Sequence, residues 1–200
     1  MKILLVHALS AEAKLIRNHF SPNRKLLSLK GTELFELNQQ VDIVCAGLGL
    51  SRTEASLSRI PDPSIYSIFL QFGVSGSLSD DLPVNTLISA KSFSALNKEP
   101  IQASEAQNDY ISKQRAVAFF SAQDAVMDEG GREVAISHGQ AVDMESYAVA
   151  QFCADREIPL HTLRIISDRA GASTEEEFKA NFKSASRILQ ENILEFILKG

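Results

Sequence analysis

Three short runs of apolar residues constrain this chain more than any other feature: residues 2–7, 41–46 and 65–72. Each has the length of a strand, and the first, with Ile3, Leu4, Leu5 and Val6 in succession, lacks the alternation of a strand with one wet face. Continuous runs of this kind suit strands covered on both sides, which calls for helices on both faces of a sheet. Helices are expected between them, over 10–20 (ended by Ser21-Pro22), 51–60 (stopped by Pro61 and Pro63), 141–154 and 174–198. Further strands are expected over 86–93, 116–120 and 160–167, with a hairpin of 26–29 and 32–37 turning near Lys30-Gly31, and a surface loop over 94–108. The closing helix opens with Thr174 three residues before Glu177, a capping-box pattern, and carries Phe178, Phe182, Ala185, Leu189, Ile193 and Phe196 as one apolar stripe. Strands alternating with helices predict an α/β fold, a three-layer α/β/α sandwich around a central mixed, largely parallel sheet.

At 200 residues and 44% hydrophobic, with neither a repeat nor a linker, the chain is expected to form a single domain over 1–200. Its net charge of -5 argues against nucleic acid as a partner. Glu175, Glu176 and Glu177 fit the acidic first turn of a helix. The opening apolar run is too short for a signal peptide or a membrane span. Cys45 and Cys153 stand in apolar segments and read as two buried, reduced thiols of a cytoplasmic protein. The four histidines show no metal-ligand spacing, so neither metal nor cofactor is expected.

Ligands of such sheets bind at the carboxyl ends of the strands. Those ends carry HALSAE (7–12), AGLGLS (46–51), FGVSGS (72–77) and RIISDRAG (164–171), and the helix preceding the last strand opens with VDMESYAVA (142–150). Glu12, Glu145 and Asp168 can therefore converge on one rim beside two glycine-rich turns. Each has a plainer explanation: Glu12 suits a first helical turn, Asp168 a turn or cap, and Met144 a helix core. AGLGLS is a weak dinucleotide fingerprint, because Arg52 occupies the place of the third glycine; a strand-to-helix turn accounts for it. Without that fingerprint and an acidic ribose ligand, a dinucleotide-dependent oxidoreductase is disfavoured.

VDMESYAVA (142–150) followed by IPLHTLRIISDRAG (158–171) resembles the paired signature of the nucleoside phosphorylase and nucleosidase superfamily. KILLVHALSAEA (2–13), CAGLGLSRTEAS (45–56) and FGVSGSL (72–78) are similar, in order and spacing, to its methylthioadenosine/S-adenosylhomocysteine nucleosidase branch, while 93–120 is shortened and unmatched. The resemblance implies cleavage of a purine nucleoside at its N-glycosidic bond. Asp168 would be the general acid toward the base, oriented by Ser167, and its pKa must be raised for that task. Glu12 would activate water, Glu145 would hold the ribose hydroxyls, and Met144 would pack on the sugar. Ala8, Val74, Val126 and Met127 would complete the binding site, and a homodimer is implied as well. This chain departs from the pattern in lacking an aromatic residue near Val126, in Val74 replacing a hydroxyl residue, and in Asp143 replacing a glutamate.

A phosphorylase needs cations for phosphate, and the loops after the first strand and before Gly73 hold no arginine. Arg52 is the remaining candidate, although a solvated helix arginine explains it as well. Water is thus the favoured acceptor. A phosphate-dependent phosphorylase and a non-catalytic nucleoside-binding protein are the alternatives.

Overall fold

The computed structural model describes residues 1–21, 24–29, 32–104 and 109–199. Strand β1 (Ile3–His7) is buried along its whole length and leads into a 3-10 turn (Ser10–Ala13) and helix α1 (Lys14–Phe20). Strands β2 (Arg24–Leu29) and β3 (Thr32–Glu36) form the expected hairpin; its turn at Lys30-Gly31, like Pro22, lies outside the described residues. Strand β4 (Val41–Cys45) is followed by α2 (Leu50–Leu57), and β5 (Ile68–Ser77) by β6 (Leu87–Ala95) and β7 (Ile101–Gln102). Then come α3 (Asp109–Ser112), β8 (Arg115–Ser121), α4 (Glu129–Ile136), β9 (Ala141–Asp143), α5 (Ser146–Ala154), β10 (Leu160–Arg169) and α6 (Thr174–Lys199).

The sheet is mixed, with parallel neighbours β4-β1-β5-β10 at its centre and the hairpin β2-β3 antiparallel at the edge beyond β4. Past β5 it closes on itself. β5 pairs with β10 along most of its length and with β9 at Gly76 and Ser77, while β10, β6, β8 and β9 are joined in turn. Helices cover both faces, as a sheet buried on two sides requires. On one face α2 and α5 bring Leu57, Val149, Phe152 and Cys153 against Leu4, Val6, Val44 and Phe69. On the other, α1 and α6 bring Ile16, Leu189, Ile193 and Phe196 against Leu5, Ile43, Leu70 and Leu163. Each such buried side chain contributes roughly 1.5–3 kcal/mol. No described helix is long and apolar enough to cross a membrane.

Several local expectations give way to tertiary pairing. Gly73–Ser77 is not a turn but the last half of β5, because β10 pairs with it from Gly73 to Ser77, with a register shift between Ile166 and Asp168. The helix expected over 141–154 begins only at Ser146; residues 141–143 are recruited as β9 between β5 and β8. The loop expected over 94–108 gives Ser94 and Ala95 to β6 and contains β7, while residues 105–108 lie outside the description. Helix α4 was hidden by Gly130 and Gly131, which weaken helix propensity; the Asp128 carboxylate caps it by accepting the Gly131 N–H at 2.7 Å. The Thr174–Glu177 capping box is not built. Thr174 Oγ1 accepts the Gly171 N–H and donates to the Val126 carbonyl, while Glu177 accepts from Ser173 and Arg169. Of the two thiols, Cys153 is buried and Cys45 only half-buried.

Candidate active site

At the carboxyl ends of β1, β5 and β10 lies a cavity of about 430 Å³ with mostly apolar walls. All nine residues singled out by sequence line it: Ala8, Glu12, Val74, Val126, Met127, Met144, Glu145, Ser167 and Asp168. The three carboxylates are 2% (Glu12), 5% (Glu145) and 4% (Asp168) exposed. At that burial an ionised carboxylate is costly unless donors surround it. The donors each one receives therefore indicate its state.

Glu12 stands in the 3-10 turn after β1 and does two things at once. Oε2 folds back to accept the N–H groups of Leu9 (2.9 Å) and Ala8 (3.2 Å), and Oε1 reaches across to the N–H of Val74 (3.0 Å). The helix-turn reading of this glutamate thus covers only one of its oxygens. Burial raises its pKa above the usual range, against the opposing pull of Arg164 and the three backbone donors.

Glu145 follows β9 and immediately precedes α5. Its Oε1 accepts the N–H of Gly49, in the turn after β4 where Gly47 and Gly49 adopt φ of +86° and +94°. That turn, a candidate for ligand approach, serves one of the protein's own carboxylates. Burial first, and then repulsion from Asp143, push the Glu145 carboxyl upward.

Asp168 lies in β10 opposite Gly76, where an added Cβ would come within 3.0 Å of its Oδ1, so the glycine leaves the carboxyl its room. Ser167 Oγ donates to Asp168 Oδ2 at 2.6 Å. Burial raises this pKa; the serine hydrogen bond opposes the shift and the Glu177 charge adds to it. A raised pKa is the condition set for a general acid in this position.

Beneath the three lies a residue that sequence reasoning missed. Arg164, 1% exposed in the middle of β10, donates to Asp143 Oδ2 (2.7 Å), Ser146 Oγ (3.0 Å) and the Val74 carbonyl (3.3 Å), and stands 3.9 Å from Glu145 Oε2. Asp143 also accepts from Ser121 Oγ and from the N–H groups of Glu145 and Ser146. This buried pair fixes the segment that presents Met144 and Glu145. Gly73 makes the arrangement possible, since a Cβ there would lie 2.4 Å from Arg164 Nη1 and 2.7 Å from Glu12 Oε1. An arginine inside an otherwise strand-like run was the available signal. The second omission is Phe178 of α6, which supplies an aromatic wall to the cavity. No aromatic residue near Val126 in sequence is needed for that.

The family model of the Phosphorylase superfamily matches residues 118–198, the stretch that carries Asp143, Glu145, Arg164 and Asp168. The chain resembles that superfamily. Its fold is shared with solved nucleosidases over nearly the whole length. The 5′-methylthioadenosine/S-adenosylhomocysteine nucleosidase from Helicobacter pylori, with butyl-thio-DADMe-Immucillin-A, superposes with a TM-score of 0.90 at 19% identity, covering 100% of this chain and 99% of that one. Futalosine hydrolase of Helicobacter pylori strain 26695 gives 0.89 at 20% identity, covering 100% and 98%. The Streptococcus pneumoniae MTA/SAH nucleosidase in complex with 8-aminoadenine gives 0.86 at 18%, covering 98% and 99%. No curated protein matches the sequence. At these identities the superposition establishes the fold alone, and the chemistry rests on the cavity itself.

Proposed function

We propose that the protein hydrolyses the N-glycosidic bond of a purine nucleoside. The observation that carries this reading is the cavity into which Glu12, Glu145 and Asp168 all project, each with a carboxyl whose pKa burial has raised. Its volume is within the range of small-molecule sites, roughly 300–1,000 Å³. Asp168, held by Ser167, gives its proton to a ring nitrogen of the base as the C1′–N bond breaks and its electron pair leaves with the base. Glu145 binds the ribose hydroxyls and sets negative charge near the developing oxocarbenium ion. Water attacks C1′ and passes a proton to Glu12, whose raised pKa makes it a better base than an ordinary glutamate. Met144 packs on the sugar; Val126, Met127 and Phe178 enclose the base, and Ala8 and Val74 close the remaining wall.

The choice of water over phosphate is supported by the cations available. Among the described lining residues the one cation is Lys179, which pairs with Glu175 one turn away. Arg164 is already engaged by Asp143. The test is chromatography of the products formed from adenosine, 5′-methylthioadenosine, S-adenosylhomocysteine and futalosine, with and without phosphate. Free base and free sugar in phosphate-free buffer are expected. Formation of a sugar 1-phosphate that depends on added phosphate would overturn hydrolysis, and base release from none of these would overturn the enzyme assignment.

A further inference from the structure

His161 is only 3% exposed, yet neither of its ring nitrogens has a hydrogen-bond partner among the described residues. An unmet donor and an unmet acceptor at that burial cost stability, and packing alone gives no reason to accept the cost. Burial lowers the pKa of the ring, so near pH 7 it is neutral, with one N–H to give and one nitrogen to accept.

The ring lines a cavity of about 160 Å³ at the amino end of β10, beside residues of β6, β8 and α3. This cavity shares no described lining residue with the larger one. Asp168 stands at the other end of the strand, roughly 20 Å away at about 3.3 Å per residue. Two further side chains of the wall have spare capacity. Ser104 Oγ accepts the Leu160 N–H at 3.1 Å, which leaves its hydroxyl proton to give. Gln114 donates through Nε2 to the Tyr110 carbonyl, and its Oε1 accepts from no described residue. Ile111 and Leu160 add apolar wall, and none of the described lining residues carries a formal charge.

Such a wall suits an uncharged occupant. A polyol would bring more hydroxyls than these few groups can meet, whereas a flat heterocycle turns carbon faces to Ile111 and Leu160 and keeps its polar atoms at its edge. The space holds on the order of ten non-hydrogen atoms, at about 10–15 Å³ for each water-sized occupant. It is smaller than the roughly 300–1,000 Å³ of sites for larger ligands, so a base fits and a nucleoside does not.

We propose that the cavity at the amino end of β10 binds a small uncharged nitrogen heterocycle, of the size of a free purine base, with His161 meeting its donor and acceptor edge. The site stands apart from the hydrolysis reading and does not require it.

The experiment titrates adenine into isotope-labelled protein and follows the ring-nitrogen NMR signals of His161, assigned by their loss in His161→Phe or His161→Gln. None of the four histidines lines the larger cavity, so the His161 signals report the second site even while adenine fills the first. They should shift saturably with adenine, and at least about tenfold more weakly with benzoate or glycerol, whose charge or hydroxyls the wall cannot meet. By calorimetry, His161→Phe should lose one of two adenine-binding events. His161→Gln, which keeps a donor and an acceptor, should retain it in weaker form. Both variants should leave base release unchanged. No shift at about 10 mM adenine, where even a weak site would fill, overturns the site and leaves a hydrated cavity. Equal shifts with benzoate or glycerol overturn the heterocycle. A saturable adenine shift without base release from any nucleoside removes hydrolysis and leaves this site standing.

Discussion

The same parallel strands carry a buried carboxylate cluster at each end, and the two are built differently. At the amino ends Asp42 of β4, fully buried, accepts the Tyr66 hydroxyl at 2.6 Å and the Lys2 ammonium at 2.8 Å. One anion meets one cation and one phenol, and the residues lining the larger cavity do not include any of them. At the carboxyl ends Asp143 has Arg164 as its partner, yet Glu12 and Glu145 share the same cation and Asp168 is buried in the same cavity without one. Charge matched by charge serves packing, whereas carboxylates in excess of cations have raised pKa values and can exchange protons with a ligand. The excess costs stability, which a purely structural cluster would have no reason to accept.

The sharpest test of that contrast is Asp168→Asn. Base release should fall by about 10²–10⁴-fold with nucleoside binding retained, the usual range for a lost general acid, while Asp42→Asn should leave kcat unchanged. A fully active Asp168→Asn would break the comparison at its functional end. Next in size is removal of each cation. Arg164→Met leaves Asp143 buried and unpaired and should cost about 3–5 kcal/mol in urea unfolding. Lys2→Met should cost less, about 1–3 kcal/mol, because Lys2 is a quarter exposed, so water can take its place, and Tyr66 still donates to the buried Asp42. Equal losses would mean that the two clusters are equivalent.

Gly73→Ala forces a methyl group against both Arg164 and Glu12 and should destabilise by about 1–3 kcal/mol, with a loss of kcat larger than any change in binding. Retained activity in a stable Gly73→Ala protein would show that Glu12 need not sit where it does. The smallest effect concerns pH. A carboxyl whose pKa is raised in the folded state favours folding while protonated, and that contribution is lost as pH rises through the raised value. Asp168→Asn should accordingly melt above the parent at about pH 8, by about 2–4 °C for each kcal/mol relieved, and the difference should narrow toward about pH 4. A melting difference independent of pH would contradict the buried, proton-holding Asp168.

Much of the candidate site was legible because its members sit at strand ends, and strand ends follow from local apolar patterning. Glu12 after β1 and Asp168 near the end of β10 needed only those strands to be located. Arg164 was not legible. A charged residue inside a strand gives no sign of which side chain will meet it, and its partner Asp143 lies 21 residues away on β9. That short strand was itself hidden inside a stretch patterned as helix, and it exists because β5 and β8 supply hydrogen-bonding edges for it. Phe178 was read as core for a similar reason. The stripe on α6 has one period throughout, yet Ala185, Leu189 and Ile193 meet the sheet while Phe178 reaches the cavity beyond its end.

The sequence by itself determined the alternation of strands and helices, the carboxylates at the strand ends, and the paired pattern of 142–150 and 158–171 that resembles the superfamily's signature. These are local properties, set by side-chain periodicity and motif spacing. Tertiary structure alone decided that the sheet closes around β5, so that β9 and β10 both reach its last residues and bring Glu145 and Asp168 into a single cavity. It also decided which carboxyls titrate high and which arginine is buried beneath them. Both follow from burial and from charges distant in sequence, and neither is set by the identity of the residue.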